Sequence, residues 1–293
     1  NILGFLRFND IDIIHAHGKG ASVICRIVAL LTRKPLIYTF HGIHISCHSK
    51  FKKYLYFFYE FLFGRVDQKK IFVSLSEKIY AKKSKLYIGK NNLIINNGVR
   101  NKKMKIYFDN DEINKKIEVV SVCRLVDQKN ILEIIKIGQF LKNINFRIVG
   151  DGPLFSKLSY FIEKNNIRNI TLLGSRKDVF QFLYNSDIFL TSSLYEGLPI
   201  SVLEAMSVGL PVVASNVIGN SDAVSHDVSG FLYELNNIKE AAEYINILSE
   251  SQSIRKKMGR KSYERQREKF SVNQMISSYE KLYEETYLKN NSL

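Results

Sequence analysis

The chain has few cysteines and no long hydrophobic run. Its 293 residues include Cys25, Cys47 and Cys123, which are widely spaced and follow no metal-ligand pattern. This excludes a disulfide framework and indicates a reducing compartment. The longest apolar run, residues 54–63, contains Glu60 and is far shorter than the roughly 20 residues of a membrane span. No signal peptide is recognisable at the start.

Several common motifs are also missing. The sequence contains no Gly-x-Ser-x-Gly elbow, no Walker loop and no Gly-x-Gly-x-x-Gly fingerprint. These absences argue against a serine hydrolase, a P-loop NTPase and a classical dinucleotide enzyme. Because zinc-finger spacing and an RNA-binding aromatic signature are absent too, nucleic acid is not the predicted partner.

Acidic residues are scarce relative to basic ones. The sequence has 43 Lys and Arg against 28 Asp and Glu, which gives a net charge of +15. Such a charge favours a polyanion, an anionic membrane surface or phosphorylated substrates as partners. A basic protein that binds nucleic acid or membrane through charge alone is one alternative, and compositional bias is another.

Short apolar runs alternate with helical patterns, which indicates β-α units around parallel sheets and, at this length, two domains. In the first half we predict strands at residues 11–15, 36–39, 71–75 and 93–96, and helices at 21–31 and 51–63. In the second half we predict strands at 117–122, 146–149, 170–173, 188–191, 212–214 and 230–233, and helices at 131–141, 154–165, 179–184 and 200–208. Residues 100–116 form the candidate linker, and residues 238–289 are predicted to be helical with a break near Phe270.

Glu196 and Glu204 lie on either side of the turn Gly197-Leu198-Pro199. The pattern puts Glu196 on a loop at a helix N-terminus and Glu204 about two turns inside that helix. Backbone N–H groups at a helix start attract phosphate, and a carboxylate accepts hydrogen bonds from sugar hydroxyls. This suits a sugar joined to a diphosphate, with Glu204 on the ribose and Glu196 near the sugar. A loop acid and a solvated helix acid are the alternative.

Two more segments follow strands at the sheet edge where ligands bind in such folds. Arg124 and Lys129 would clamp a diphosphate and stabilise it as it leaves, unless they are ordinary surface charges. Gly150, Asp151 and Gly152 follow the next strand, and the glycines allow a close backbone approach. This second loop is either a wall for a nucleotide base or a plain tight turn.

Histidines end two strands of the first half. His15 and His17 lie at the end of one strand, and His41 and His44 at the end of another. Metal ligands, catalytic groups and ordinary loop residues are the three interpretations. No carboxylate follows at metal-ligand spacing, so a metal site is not predicted. A histidine at this edge would hydrogen-bond a sugar and assist charge development.

Residues 50–65 combine aromatic side chains with a basic start. They predict either an interfacial surface or a core helix packed under the sheet, and the two interpretations can hold for different faces. Further cations follow at Lys69, Lys70, Lys82, Lys83 and Lys85.

In order and spacing, these motifs resemble those of the retaining glycosyltransferases of family 4. The matching segments span most of the chain: residues 12–18, 38–42, 94–99, 121–130, 149–153, 192–204 and 211–230. The resemblance implies the GT-B fold, in which two Rossmann-like, doubly wound parallel-sheet α/β domains face a cleft, with helices at the C-terminus. It implies a partial acceptor-side domain at 1–108, a donor-binding domain at 109–270 and a C-terminal helix at 271–293 that packs back on the first domain. The first strand and glycine-rich loop of the family are missing, so the first domain is expected to be truncated.

The resemblance also implies a reaction. A sugar would move from a nucleotide-sugar donor, UDP- or GDP-linked, to an acceptor with retention at the anomeric carbon and without a metal or other cofactor. By carry-over, the catalytic residues are His41 and Glu196, the diphosphate is bound by Arg124, Lys129, Gly197 and Leu198, the ribose by Glu204, and the base by the loop Gly150, Asp151 and Gly152.

The first half looks closest to members that build capsule, exopolysaccharide or lipopolysaccharide. The expected acceptor is a glycan or a lipid-linked sugar, and the expected location is the cytoplasm, peripheral on the inner face of the cell membrane. Two alternatives are a truncated, inactive remnant that still binds nucleotide sugar, and a nucleotide-sugar epimerase.

Overall fold

The computed structural model describes residues 5, 9–43, 50–86, 89–105 and 116–291. It divides into two compact units. The smaller comprises Asn1–Asn97 and Asn273–Leu293, and the larger comprises Gly98–Val272. The predicted domain boundary at 108 to 109, most of the predicted linker, His44 and Cys47 lie outside the described residues.

The smaller unit contains a parallel four-stranded sheet in the order β1-β2-β3-β4. Its strands are β1 Ile14–His17, β2 Leu36–Thr39, β3 Asp67–Phe72 and β4 Asn92–Ile94. Its helices are α1 Gly18–Thr32, α2 Lys50–Phe63, α3 Leu75–Lys83 and, at the end of the chain, α11 Val272–Asn291.

Side-chain alternation along the strands decides which helices cover which face of this sheet. Tyr38 and Phe72 pack with residues of α1, α2 and α3. Ile37 and Ile71 pack with Leu282 of α11. Because successive strand residues point to opposite faces, α1, α2 and α3 form one layer and α11 covers the other face.

A buried group of charged side chains joins α1, α2 and β3. The Arg26 guanidinium donates to Glu60 at 2.8 Å and to Asp67 at 2.6 Å, and the Nζ atom of Lys70 lies 3.6 Å from Asp67. All four side chains are almost fully buried. Their opposite charges satisfy one another, which makes such burial tolerable.

This group explains where the sequence prediction for β3 is wrong. The predicted strand at 71–75 begins four residues late, because Asp67 and Lys70 look like surface residues in the sequence. It also runs too far, since α3 already begins at Leu75. Ser74 caps that helix by accepting a hydrogen bond from the Glu77 backbone N–H at 3.2 Å.

The larger unit contains a parallel six-stranded sheet in the order β10-β9-β8-β5-β6-β7. Its strands are β5 Glu118–Val122, β6 Asn145–Val149, β7 Ile170–Leu172, β8 Ile188–Thr191, β9 Val212–Ser215 and β10 Gly230–Tyr233. Its helices are α4 Ile131–Phe140, α5 Phe155–Lys164, α6 Val179–Tyr184, α7 Ile200–Ser207, α8 Asn220–Ala223, α9 Ile238–Glu250 and α10 Gln252–Lys269. The predicted α/β class with parallel sheets is confirmed, and most predicted elements of this unit agree with the observed ones within two residues.

The predicted helical tail is interrupted twice. Besides the break near Phe270, α9 ends before Ser251, whose side chain caps α10 by accepting from the Ile254 N–H at 3.3 Å. A serine at an N-cap satisfies a backbone donor that the helix cannot pair by itself.

Candidate active site

Apart from Glu204, which lies on α7, the candidate residues of the larger unit lie on loops that follow β5, β6, β8 and β9. All four strands are parallel, so these loops share one edge of the sheet. The β5 loop leads through a 3₁₀ turn, Asp127–Lys129, into α4. The β8 loop carries Glu196 and leads into α7.

An ion pair between Lys129 and Glu196 joins the β5 loop to the β8 loop. The Lys129 side chain is 18% exposed and the Glu196 side chain 8%, so solvent screens the pair only weakly. Sequence reasoning selected both residues but assigned them to different ligand groups. The structure brings them into direct contact.

Hydrogen bonds fix the geometry of this pair. Ser192 Oγ donates to the backbone carbonyl of Lys129 at 2.9 Å. Gln128 Nε2 donates to the backbone carbonyl of Tyr195 at 2.9 Å. The backbone carbonyl of Gln128 accepts from the Leu194 N–H at 2.8 Å. Sequence reasoning missed these residues because serine and glutamine on a loop carry no distinctive pattern.

A third loop, after β9, closes against the Glu196 segment at Gly219. This residue has φ +85°, and a Cβ there would lie 2.5 Å from the carbonyl oxygen of Gly197 and 3.0 Å from Cβ of Glu196. The neighbouring Ser215 Oγ donates to the Ser193 carbonyl at 2.7 Å. Only glycine fits this contact, so residue 219 sets how closely the third loop approaches Glu196.

The loop Gly150, Asp151 and Gly152 packs directly on the chain after β5. A Cβ on Gly150, whose φ is +136°, would lie 1.8 Å from the Cys123 carbonyl oxygen. The Leu125 N–H donates to the Asp151 carbonyl at 2.9 Å. The glycines therefore serve this backbone contact, and the base-binding role remains a prediction.

Arg124 and Glu204 are less tightly held than the ion pair. Arg124 is exposed, and no acid pairs with it in the part of the chain that the structure describes. Glu204 is half-buried, and this burial raises the pKa of its carboxyl while the nearby Lys102 lowers it. The prediction that Glu204 lies two turns inside its helix is wrong, because α7 begins at Ile200 and Glu204 is its fifth residue.

Cys123 lies beside the ion pair. Burial raises the pKa of its thiol to about 12, which outweighs the lowering by Lys129. At neutral pH the thiol stays protonated, so Cys123 is a packing residue and not a nucleophile.

The histidines of the smaller unit form a connected group. His17 Nδ1 lies 2.9 Å from His41 Nε2, and the two rings are stacked. His15 contacts the Tyr283 hydroxyl at 2.7 Å and the Thr39 hydroxyl at 2.8 Å. Sequence reasoning selected His41 but did not foresee that His17 would contact it.

These histidines are held in their neutral form. Burial, followed by the neighbouring His17 and His41, lowers the pKa of His15 to about 3. Burial also lowers the pKa values of His17 and His41. Within the described residues, no group of three or more His, Cys, Asp or Glu side chains is arranged to hold a metal ion.

The sequence matches two family descriptions. Residues 102–265 match "Glycosyl transferases group 1", and residues 1–100 match "Glycosyltransferase Family 4". The first match covers the whole candidate site of the larger unit.

Two relatives act on lipid-linked sugars according to their names. The chain is 32% identical over 262 residues to an Escherichia coli UDP-Gal:alpha-D-GlcNAc-diphosphoundecaprenol alpha-1,3-galactosyltransferase, covering 83% of this chain and 67% of that protein. It is 30% identical over 190 residues to a Campylobacter jejuni N,N'-diacetylbacillosaminyl-diphospho-undecaprenol alpha-1,3-N-acetylgalactosaminyltransferase, covering 64% of this chain and 49% of that protein.

Among solved structures, the HepE protein of Anabaena in complex with UDP and glucose superposes with a TM-score of 0.84. The identity is 20%, and the match covers 97% of this chain and 80% of that one. This likeness confirms the predicted fold.

Proposed function

Because the chain belongs to the glycosyl transferases of group 1, we propose that it moves a sugar from a nucleotide-sugar donor to a glycan or lipid-linked acceptor, with retention at the anomeric carbon. The expectation of a glycosyltransferase family is confirmed, whereas donor, acceptor and stereochemistry are parts of this proposal. The relatives reported above are transferases, which supports transfer over epimerisation.

The ion pair of Lys129 and Glu196 carries the proposal. It holds a cation and a carboxylate at the carboxyl edge of a parallel sheet, directly before the start of α7. Lys129 and the exposed Arg124 supply positive charge for a diphosphate, and backbone N–H groups at the start of α7 add to it. Glu204, on the first turns of the same helix, would accept hydrogen bonds from the ribose.

In the proposed reaction the bond between the anomeric carbon and the diphosphate oxygen breaks, and its electron pair leaves with the diphosphate. Arg124 and Lys129 would stabilise the developing negative charge. The acceptor hydroxyl oxygen forms the new bond on the same face of the sugar, and its proton passes to the departing diphosphate oxygen. Since Arg124 and Lys129 would supply positive charge to the leaving group, we propose that no metal ion is required.

For the donor we propose a uridine nucleotide before a guanosine one. The Escherichia coli relative is named for UDP-Gal, and the Anabaena structure holds UDP. The loop Gly150, Asp151 and Gly152 would form one wall of the base site, because it packs against the β5 loop that carries Arg124.

For the acceptor we propose a sugar on a polyprenyl diphosphate, the class that appears in both relatives' names. Such an acceptor lies in a membrane, so the proposed location is the cytoplasmic face of the cell membrane. Within the described residues, no helix is both long and apolar enough to cross a bilayer.

Calorimetric titration of UDP, GDP and ADP into the full chain tests the donor site. We expect selective binding of one nucleotide, weakened roughly tenfold or more in Glu204→Ala and Arg124→Ala, because each loses a charged hydrogen-bonding group. Two matched controls remove exposed charges elsewhere in the larger unit. Glu163→Ala on α5 removes a negative charge, as Glu204→Ala does, and Lys136→Ala on α4 removes a positive charge, as Arg124→Ala does.

The outcomes separate the alternatives. Equal binding by all variants would refute the site assignment. Nucleotide binding without transfer to any lipid-linked or glycan acceptor would favour the inactive remnant. Conversion of a nucleotide sugar in the absence of acceptor would favour the epimerase. Proton NMR of the anomeric coupling in the product decides between retention and inversion.

A further inference from the structure

The outer surface of the helix layer α1, α2 and α3 is unusually apolar. On α2, residues spaced three or four apart point outward: Phe51 is 74% exposed, Leu55 56%, Phe58 50% and Leu62 48%. Tyr54, on the same side, is 70% exposed. The neighbouring helices add Ile27, Leu30 and Leu31 from α1 and Leu75 and Ile79 from α3. Large contiguous apolar patches on a soluble protein mark a site of interaction.

The exposed charges on this layer are all of one sign. Residues 18–43 and 50–86 contain three acids, Glu60, Asp67 and Glu77, and each of their side chains is buried. Glu60 and Asp67 pair with Arg26 inside the layer, and Glu77 accepts hydrogen bonds from the backbone N–H groups of residues 42 and 73. The exposed charged side chains of these ranges are therefore cations: Arg33, Lys52, Arg65, Lys82, Lys83 and Lys85.

The combination distinguishes between occupants of the surface. An apolar patch alone would fit a second copy of this chain. A cationic border disfavours self-association, because two such faces repel each other when they meet. An apolar helix face with aromatic side chains and lysines around it matches a helix that lies in the headgroup region of an anionic bilayer.

A groove beside α2 combines both properties in one place. It has a volume of about 420 Å³ and is lined by aromatic side chains of α2, including Tyr54, Phe57 and Phe58, with Lys85 at its side. Four aromatic rings with one ammonium group suit the first methylenes and the phosphate of a lipid.

We infer that the outer face of α1, α2 and α3 docks onto the surface of a bilayer that contains anionic lipid. α2 lies in the membrane plane, since its 14 residues span about 21 Å and cannot cross the hydrocarbon core. The inference rests on the proposed function for its biological reason, a lipid-linked acceptor. Vesicle binding needs neither donor nor acceptor, so the two proposals can fail separately.

Flotation of the full chain with vesicles tests the inference. We expect binding to vesicles of phosphatidylcholine with about one third phosphatidylglycerol, much weaker binding to phosphatidylcholine alone, and weakening as salt is raised. Equal binding to both vesicle types, or no binding to either, would overturn the inference. Nucleotide binding measured on the same preparation shows whether the proposed donor site works in either case.

An apolar variant, with Phe51, Leu55 and Phe58 all changed to serine, should abolish flotation. Because these side chains are exposed, the fold should persist, and circular dichroism with thermal unfolding checks this. The control changes Phe140 and Tyr160 to serine, which are 60% and 62% exposed on the larger unit. The control should float like the parent protein, and loss in both would overturn the inference.

A charge variant distinguishes attraction of this face to anionic lipid from attraction caused by the net charge of the whole chain. Each lysine near an anionic surface strengthens binding roughly fivefold, so changing three of them to alanine should weaken it roughly 100-fold. The variant carries Lys52→Ala, Lys82→Ala and Lys83→Ala, and its control carries Lys136→Ala, Lys142→Ala and Lys157→Ala on the larger unit. Equal weakening in the two would mean that net charge, not this face, drives binding.

Sedimentation velocity of the parent and the apolar variant tests whether a second copy of the chain binds this face instead. A monomer in both cases agrees with the inference. A concentration-dependent dimer that disappears in the apolar variant, together with absent flotation, would assign the face to a second copy of the chain.

Discussion

Replacing Gly219 by alanine should disturb the candidate site without removing any of its functional groups. The residue has φ +85° and ψ −47°, a conformation that costs a non-glycine residue about 1–3 kcal/mol. The added Cβ would also lie 2.5 Å from the Gly197 carbonyl oxygen, which is backbone and cannot swing away. Such overpacking typically costs a further 1–3 kcal/mol or so.

Gly174→Ala provides the matched control. Gly174 has φ +67°, but a Cβ there would meet no atom within 4 Å. Its cost should be limited to the positive φ, about 1–2 kcal/mol. In a unit of this size each kcal/mol lowers the unfolding midpoint by about 2–4 °C, so Gly219→Ala should unfold roughly 10 °C below the parent and well below Gly174→Ala.

Thermal unfolding followed by circular dichroism and calorimetric titration of UDP provide two readouts. The Gly219 variant should bind UDP at least roughly tenfold more weakly, because displacing the loop that holds Glu196 misplaces groups that contact the donor. The control should bind like the parent. If the two variants unfold within about 2 °C of each other and bind UDP equally, the close approach of the third loop to Glu196 does not matter as argued.

Three further predictions concern ionisable groups. Lys129→Met and Glu196→Gln should each lower the free energy of unfolding by about 1–3 kcal/mol, because each leaves the other charge buried without its partner. The double variant should lose less than the sum of the two single variants. Chemical denaturation of the parent, both single variants and the double variant measures this coupling. His15 should remain neutral at pH 5 in an NMR titration. The unfolded chain takes up a proton at this histidine near the ordinary pKa of 6.5, whereas the folded chain does so only near 3. The free energy of unfolding should therefore fall as the pH drops from 6.5 towards 3, and it should fall less in His15→Gln. Cys123 should resist iodoacetamide at pH 8 in the folded protein and react after unfolding, as peptide mass analysis would reveal, because burial raises the pKa of its thiol to about 12.

The local sequence pattern correctly predicted the elements whose own residues are apolar and are buried without a charged partner from elsewhere in the chain. β8 and β2 are short apolar runs, and their predicted and observed bounds agree. β3 was misplaced because Asp67 and Lys70 become core residues only through Arg26, which lies 41 positions before Asp67. No short stretch of sequence contains both Arg26 and the residues of β3 that it pairs with.

The same limit applies to the candidate site. The sequence identified Lys129 and Glu196 by type and position, but their contact spans 67 positions and depends on loops held by Ser192 and Gln128. The loop glycines were recognised as permissive, whereas the backbone atom that each one meets is visible only in three dimensions. His41 was selected through family resemblance and His17 through its place at a strand end, but no local pattern shows that their rings stack.

The covering of the small sheet by α11 has a consequence for biosynthesis. The apolar face formed by Ile37 and Ile71 is translated early, yet Leu282, which covers it, leaves the ribosome only after the whole of Gly98–Val272 has been made. At translation rates of about 5–20 residues per second, that interval is roughly 10–35 s. During this time the larger unit, which is continuous in sequence, can fold first, while the nascent smaller unit presents an uncovered face that a chaperone can bind. Loss of residues 273–293 would thus damage the unit whose strands lie within residues 14–94.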